Sequence, residues 1–231
     1  KLWHLGWAPP KWGDLRHFLR GKGYRDEEIE QAGLIKRPDI EDGERGRGSG
    51  DYYDRFRSRI MFPLFDSSGR VIAFSGRIFE ETVPTSDSRS AGAKYINSPE
   101  TPLFHKSKVL YGYDRAKFAI RKYNFSVLVE GQMDLLLSHQ GGFPNTVALS
   151  GTALTGEQIE LLRRLSQNVV MAFDPDVAGV KSSGRSAELA LSSGMNVKVA
   201  RLPQGKDPAD LIREDKEVFR AVVRNSTHIV E

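Results

Sequence analysis

The stretch VVMAFDPDVAG, residues 169–179, places two carboxylates one residue apart directly behind an apolar run. A short β-branched run of this kind is typical of a buried strand, and a helix-like segment follows it from Ala178. Asp174 and Asp176 therefore lie where a strand ends and a helix begins. Paired acids in this position indicate a divalent-metal site, because hard cations prefer oxygen ligands.

Acids also follow two other strand-like runs. Glu130 comes directly after 127–129, and Asp207 closes the loop that follows 197–200. In an open α/β sheet, chemistry gathers in the crevice outside the carboxyl ends of the strands. One acid in such a place is as often a helix cap as a ligand, but four at successive strand ends favour a metal site. We expect these four to come together: Glu130, Asp174, Asp176 and Asp207.

The second half of the chain alternates short β-branched runs with helix-like segments, which predicts βαβ units and a parallel sheet. The spacing in Thr155-Gly156-Glu157-Gln158 is that of a capping box and predicts a helix start. The loop before it, 150–155, either binds a phosphate at free helix-end amides or is a glycine turn with a threonine cap.

The first half is less regular and predicts an α+β arrangement. Short helices are expected at 14–19 and 26–32, and a β-hairpin is expected from 59–65 and 70–74. The segments 36–50 and 80–92 are rich in glycine and charge, and we interpret them as mobile loops. Three tryptophans invite base stacking, but we expect at least two of them to pack in a small core: Trp3, Trp7 and Trp12.

Composition narrows the class of protein. With 39% hydrophobic residues, the 231-residue chain can bury a sizeable core. It has no cysteine and its five histidines are scattered, which excludes disulfides and predicts no zinc in this fragment. No apolar run approaches the roughly 20 residues of a membrane span, and no signal peptide is evident, so we expect a cytoplasmic protein without a membrane partner.

The charge is unevenly distributed. Residues 1–125 hold 23 Lys+Arg against 17 Asp+Glu, whereas 126–231 hold 11 against 13. This asymmetry indicates a basic surface for a polyanion beside an acidic half. The chain begins with Lys1 rather than methionine, so we expect an excised fragment.

Several motifs carry a family resemblance. The patterns EGxxD at 130–134, DxDxAG at 174–179 and DP at 207–208 resemble the TOPRIM fold of bacterial primases, topoisomerases and some nucleases. Motifs in the first half narrow the resemblance to the bacterial replicative primase (DnaG) family, and the similarity spans nearly the whole chain. These motifs are HLGWAP at 4–9, RFRSRIMFP at 55–63, KYINSPET at 94–101 and FHKxxxLYG at 104–112.

The resemblance implies the RNA polymerase core of a primase, which makes short RNA primers on single-stranded DNA from ribonucleoside triphosphates. It implies a basic α+β N-terminal subdomain over 1–125, an α/β TOPRIM subdomain over 126–206 with a parallel sheet flanked by helices, and the start of a helical C-terminal subdomain over 207–231. It also implies magnesium or manganese as the cofactor, with two ions per site.

Site residues follow from the same resemblance. It assigns metal and nucleotide-phosphate handling to Glu130, Asp174, Asp176 and Asp207, with Asp134 as a supporting acid. The first three of these acids, together with Lys94, are the expected catalytic residues. Lysine and arginine neutralise a phosphate backbone without reading its sequence. The expected nucleotide- and template-binding residues are Arg57, Arg59, Lys94, Asn97 and Lys106, of which Arg57 and Arg59 should alternate along one strand.

The chain departs from the family pattern at two places. Pro175 replaces a common glycine between the paired aspartates, and Asp207-Pro208-Ala209-Asp210 replaces Asp-Pro-Asp. The second acid of that motif is therefore lost or is supplied by Asp210, and either Asp207 or Asp210 is the metal-site acid. We favour Asp207.

Partners follow from the resemblance as well. It implies a zinc-binding domain ahead of this core, a replicative helicase that binds a later domain, and a monomeric core at the replication fork in the nucleoid. Two other functions stay open: a TOPRIM nuclease or topoisomerase, although none of the seven tyrosines stands out as a nucleophile, and a non-catalytic TOPRIM module that binds DNA.

Overall fold

The computed structural model describes residues 3–37, 52–79, 93–151, 153–174 and 177–229, with only the backbone of 177–183. The chain forms two compact units: Lys1–Leu64 with Val71–His105, and Phe65–Arg70 with Lys106–Glu231. The subdomain boundaries expected at 125/126 and 206/207 stay predictions.

The first unit is built on a four-stranded sheet with the order β1-β4-β5-β6. Its edge strands β1 and β6 pair antiparallel with β4 and β5. A short ladder, β2 with β3, lies outside this sheet. The elements are β1 Gly6–Ala8, α1 Asp14–Gly21, α2 Asp26–Gln31, β2 Ile35–Lys36, β3 Tyr53–Asp54, β4 Arg59–Phe65, β5 Val71–Ile78 and β6 Tyr95–Asn97.

The predicted hairpin is present and depends on Asp66. Its Oδ1 accepts the backbone N–H groups of Ser68 and Arg70 at 2.8 and 3.0 Å, which closes the turn. Gly69 has φ +81°, a conformation that glycine adopts without strain. The second strand runs to Ile78 rather than ending at residue 74.

Of two further predictions for the first half, one lies outside the described residues and one is wrong. The predicted loops 36–50 and 80–92 lie outside the described residues, apart from Lys36 and Arg37. The prediction that at least two tryptophans pack in a core is wrong, because Trp7 is 46% and Trp12 53% exposed. Since β1 is an edge strand and α1 buries no residue, this part of the unit has no core large enough to cover the indoles.

The second unit is built on a five-stranded sheet with the order β11-β10-β9-β7-β8. Strands β7 to β10 are parallel, as predicted, and β11 pairs antiparallel with β10. The elements are α3 Tyr113–Tyr123, β7 Ser126–Val129, α4 Gln132–Gln140, β8 Thr146–Ala148, α5 Gly156–Arg163, β9 Asn168–Met171, α6 Val177–Ser192, β10 Asn196–Val199, α7 Pro208–Arg224 and β11 Thr227–His228.

The core of this unit lies between the sheet and its helices. Strand β7 is buried along its whole length, as expected of a parallel strand covered on both faces. Leu128, Val147 and Met171 from three adjacent strands belong to one buried cluster with Ile120 of α3 and Ile159 of α5. Because both faces of these strands are buried, their residues form continuous apolar runs, and such runs predict strands from the sequence.

The predicted capping box begins α5. Thr155 Oγ1 accepts the N–H of Gln158 at 3.2 Å, and Gln158 Oε1 accepts the N–H of Thr155 at 3.1 Å. The same glutamine donates from Nε2 to the carbonyl of Val109 at 2.8 Å. A local helix signal therefore also connects α5 to the segment that precedes α3.

The strand order creates a topological switch point between β7 and β9. From β7 the chain passes through α4 to β8 on one side, whereas from β9 it passes through α6 to β10 on the other side. Because the two connections diverge, a crevice opens at the carboxyl ends of β7 and β9. The acids that follow these strands lie at this crevice.

Candidate functional site

Glu130 and Asp174 flank the crevice. Glu130 is the first residue after β7, and Asp174 follows β9 by three residues. The two strands are in register, with Leu128 opposite Met171, and the N–H of Ala172 donates to the carbonyl of Leu128 at 2.9 Å. Both acids therefore leave the same edge of the sheet, and both are partly buried.

Asp134 joins two helix N-termini beside this crevice. Its side chain lies in the first turn of α4 and is 6% exposed. Oδ2 accepts the N–H of Gly131 at 3.1 Å, and Oδ1 accepts the N–H of Ala209 in the first turn of α7 at 3.2 Å. Asp134 thus holds the start of α7, and with it Asp207, next to the loop that carries Glu130.

The electrostatics of Asp134 show that acids are grouped here. Its pKa is raised to about 7, first by burial and then by repulsion from Asp207 and Asp174. The two backbone N–H groups that it accepts act in the opposite direction. Asp134 thus lies near enough to Asp207 and to Asp174 for each charge to act on it, and a cation bound beside them would reduce this repulsion.

Asp207 and Asp210 have different contacts. Asp207 is the N-cap of α7, and its Oδ1 accepts the N–H of Asp210 at 2.7 Å. Asp210 itself forms an ion pair with Arg213, one turn along the helix. Asp207 is also a residue whose charge acts on Asp134. These contacts favour Asp207 as the metal-site acid, and its assignment stays a prediction.

The segment after β8 contacts the Glu130 loop. The N–H of Ser150 donates to the carbonyl of Glu130 at 3.0 Å, and Gln132 Nε2 donates to Ser150 Oγ at 2.7 Å. Ser150 has φ +61°, which is uncommon outside glycine and occurs at functional sites, where surrounding contacts maintain it. Sequence reasoning missed Gln132, because a polar residue at a helix start gives no sign of a partner 18 positions away.

The donor chemistry of the crevice fits a hard divalent cation, because Glu130, Asp174 and Asp207 all offer carboxylate oxygens. Within the described ranges, no three acids, histidines or cysteines converge closely enough to form a metal cage. Asp176, the fourth expected ligand, and Pro175 lie outside the described residues.

The two arginines that were expected to bind nucleotide, Arg57 and Arg59, are placed differently. Arg59 is 3% exposed, and its Nη1 donates to the carbonyls of Gly76 at 3.0 Å and Ala93 at 3.1 Å. Burial lowers the pKa of its guanidinium. The prediction that Arg57 and Arg59 alternate along one strand is wrong, because Ser58 has φ +51° and β4 begins only at Arg59.

Arg57 lies nearer the surface. Its guanidinium carbon is 3.9 Å from the ring centroid of Trp12, and its Nη1 donates to the carbonyl of Asp54. Lys94 is exposed, just before β6. Asn97 ends β6, and its carbonyl accepts Arg55 Nε at 3.2 Å and Nη2 at 2.9 Å.

Lys106 belongs to the second unit, whereas the other four predicted nucleotide-binding residues belong to the first. It opens a 3-10 turn, and its carbonyl accepts Gln158 Nε2 at 3.2 Å.

Across the described parts of the chain, no helix combines the length and the apolar character that a membrane crossing requires.

Comparison with known proteins agrees with this architecture. Residues 1–117 match the family described as the DNA primase catalytic core, N-terminal domain, and residues 127–212 match the family described as Toprim-like. A DNA primase of Clostridium acetobutylicum is 37% identical over 230 residues, which cover 98% of this chain and 35% of that protein. The chain thus spans about a third of the length of this relative.

Two solved structures are similar over 98% of the chain. The structure of the DnaG primase catalytic domain bound to ssDNA is 35% identical, has a TM-score of 0.80 and is covered over 66% of its length. The Aquifex aeolicus primase structure, with zinc binding and RNA polymerase domains, is 33% identical, has a TM-score of 0.81 and is covered over 52%.

These similarities confirm the predicted fold class of an α+β N-terminal part followed by a TOPRIM sheet flanked by helices. A family match over the first half of the chain, together with alignment to a DNA primase over nearly all of it, shows that the chain belongs to the bacterial DnaG-type DNA primase family.

Proposed function

We propose that this chain is the catalytic core of a primase and joins ribonucleotides into short RNA primers on a single-stranded DNA template. The observation that carries the proposal is the group of interacting acids at the switch point, within a fold shared with DNA primases. The similarity to a DnaG catalytic domain bound to ssDNA supports the choice of template.

TOPRIM-type primase cores depend on divalent metal. We propose magnesium or manganese, two ions per site, with Glu130, Asp174, Asp176 and Asp207 as ligands. When bound, such ions lower the pKa of the attacking 3′-hydroxyl and neutralise the triphosphate and the leaving pyrophosphate.

The chain's own residues have separate proposed tasks. Glu130 assists removal of the proton from the 3′-hydroxyl, and Asp134 keeps the start of α7 in place through the N–H of Ala209. Among the predicted nucleotide-binding residues, Arg57 and the two lysines neutralise the charge of nucleotide and template phosphates. Arg57, Lys94, Asn97 and Lys106 contact nucleotide and template. Buried Arg59 acts indirectly, because it holds the carbonyl of Ala93, the residue before Lys94.

We also propose roles for the subdomains and partners for the core. We assign template handling to 1–125, the metal centre to 126–206 and the start of a helical subdomain to 207–231. The Aquifex aeolicus relative has a zinc binding domain beside its RNA polymerase domain, which supports a similar partner domain here. We further propose that the core is monomeric, extends an RNA primer and acts with a replicative helicase in the cytoplasm.

The direct test is de novo RNA synthesis on single-stranded DNA with magnesium or manganese, comparing the wild type with Glu130→Gln. The expected loss of rate is about 100-fold or more, because the amide is a poor metal ligand and cannot accept the proton. The matched control is Glu160→Gln, which changes an exposed glutamate paired with Arg163 on α5 and should leave synthesis unchanged. Full activity of Glu130→Gln would refute the metal assignment.

The alternatives are not favoured by the family membership. A nuclease or topoisomerase would nick supercoiled DNA in the absence of ribonucleotides. A non-catalytic module would bind DNA with no change in affinity or stability on addition of magnesium. Either result, combined with no RNA synthesis, would replace the primase proposal.

A further inference from the structure

Trp12 is exposed, yet its backbone is hydrogen-bonded to β3. Its carbonyl accepts the N–H of Asp54 in β3 at 2.8 Å. The carboxylate of the same aspartate accepts the N–H groups of Leu15 at 2.8 Å and Arg16 at 3.0 Å, at the start of α1. Asp54 of β3 therefore binds the chain at Trp12, just before α1, and again in the first turn of α1. The indole contacts the ring of Tyr53 although 53% of the residue is exposed.

The exposed indole lies against the guanidinium of Arg57. The guanidinium carbon is 3.9 Å from the Trp12 ring centroid and 5.2 Å from that of Tyr53. The two rings contact each other edge to face, with centroids 5.3 Å apart and planes at 64°. Arg57 Nη1 also donates to the carbonyl of Asp54, so the residue that anchors Trp12 also anchors Arg57.

Stacking and the hydrogen bond to Asp54 together restrict the arginine side chain. An arginine side chain has several rotatable bonds, and ordering it costs conformational entropy each time it binds a phosphate. Stacking on an aromatic face holds the planar group by cation–π attraction, while the N–H donors stay in the plane of the guanidinium. A preordered arginine therefore binds a phosphate more tightly than a mobile one.

A purely structural role explains the stacking less well. Trp12 contributes little to a core, because it is half exposed and the adjoining α1 has no buried residue. The positive φ of Ser58, +51°, turns the chain directly after Arg57 and separates it from buried Arg59. Arg57 therefore stays half-buried against the indole and does not enter the interior as Arg59 does.

We infer that Trp12 is a positioning residue that orders the guanidinium of Arg57 for contact with the phosphate backbone of the single-stranded template. The inference rests on the proposed function, since it requires Arg57 to touch template. Trp12 itself acts through the arginine and does not stack on a base.

The test is a double-mutant cycle on the affinity of the 231-residue chain for a fluorescent single-stranded DNA oligonucleotide at fixed salt. Trp12→Leu should weaken binding by about 2- to 30-fold, the range of a cation–π contact. Trp12→Phe, which keeps a ring, should recover most of this loss. Trp12→Leu combined with Arg57→Gln should bind no worse than Arg57→Gln alone, because the tryptophan acts only through the arginine.

Several controls keep the outcomes distinct. Trp7→Leu removes another half-exposed indole of the same unit, one that contacts Phe79, and should leave affinity unchanged. If Trp12→Leu proves unstable in thermal melting, Trp12→Met replaces it, because methionine fills the space with a flexible chain.

Unchanged affinity of Trp12→Leu, or additive losses in the double variant, would overturn the inference. An unchanged affinity of Arg57→Gln would also overturn it by removing the template contact, while RNA synthesis by the wild type would still support the proposed function.

Discussion

Replacing Asp134 by asparagine should remove a large pH dependence from the stability of the metal-free protein. The buried carboxyl accepts the N–H groups of Gly131 and Ala209, and its pKa is raised from 3.8 to about 7. A raised carboxyl pKa means that the folded state favours the protonated form. The stabilising contribution is therefore complete below about pH 4 and is lost as the pH rises to about 7.

The magnitude follows from the displacement of the pKa. The full displacement corresponds to about 4 kcal/mol, at about 1.4 kcal/mol for each pH unit. Roughly half of it, about 2 kcal/mol, should be lost between pH 5 and pH 7. Asparagine at 134 also loses one acceptor for a backbone N–H, but that cost does not change with pH. The pH dependence of the difference in unfolding free energy between the two proteins therefore measures the effect of the Asp134 charge alone.

The assay is urea unfolding in the presence of a chelator at several pH values between 5 and 8, for the wild type and Asp134→Asn. The difference in unfolding free energy between the two proteins should change by about 2 kcal/mol in favour of the variant from pH 5 to pH 7. Glu160→Gln, the surface control, should run parallel to the wild type. Saturating magnesium should restore the wild type at pH 7, because it binds the folded state.

A constant difference between wild type and Asp134→Asn across this range would refute the reasoning, since Asp134 would then feel neither the burial nor the acids around it. A difference that moves in the opposite direction would show that the two N–H groups outweigh both effects.

Two further predictions concern the first unit. Gly76→Ala should lower the unfolding free energy by about 1–3 kcal/mol in urea titrations, because its Cβ would lie 2.9 Å from Phe56 and 3.0 Å from Arg59. The control is Gly69→Ala, whose Cβ would meet nothing within 4 Å and which therefore measures the cost of a positive φ alone. Equal losses in the two variants would contradict the packing argument. The hydrogen bond from Arg16 lowers the pKa of Asp26 to about 2, so its stabilising contribution is present above about pH 4 and is lost as the pH falls to about 2. The melting temperature of Asp26→Asn should therefore fall less steeply than that of the wild type as the pH is lowered from about 4 to about 2. An equally steep fall in both proteins would contradict this prediction.

The candidate site was partly visible in the sequence. Glu130, Asp174 and Asp207 each follow an apolar run, and the rule for open α/β sheets places such residues at one edge. The family resemblance implies only a supporting role for Asp134. Its bond to the N–H of Ala209 joins residues 75 positions apart, and no local pattern encodes a contact at that distance.

The basic residues show where local patterns fail. RFRSR at 55–59 predicts arginines that alternate on a strand, but one serine with a positive φ sends Arg59 inward and leaves Arg57 against Trp12. Tryptophan near short helices predicts a small core, yet the neighbouring elements are too short to cover it. Both outcomes depend on which segments meet in three dimensions.

The sequence by itself determined the parallel α/β half, its helix starts and the acids that follow its strands. Strand burial and helix capping depend on residues only a few positions apart, so local patterns predict them. Only the tertiary structure decided that β7 lies beside β9, which opens the crevice between Glu130 and Asp174. It also decided that Asp134 joins two helix starts and that Trp12 faces Arg57. These contacts arise from the packing of distant segments, which the free energy of the whole fold selects.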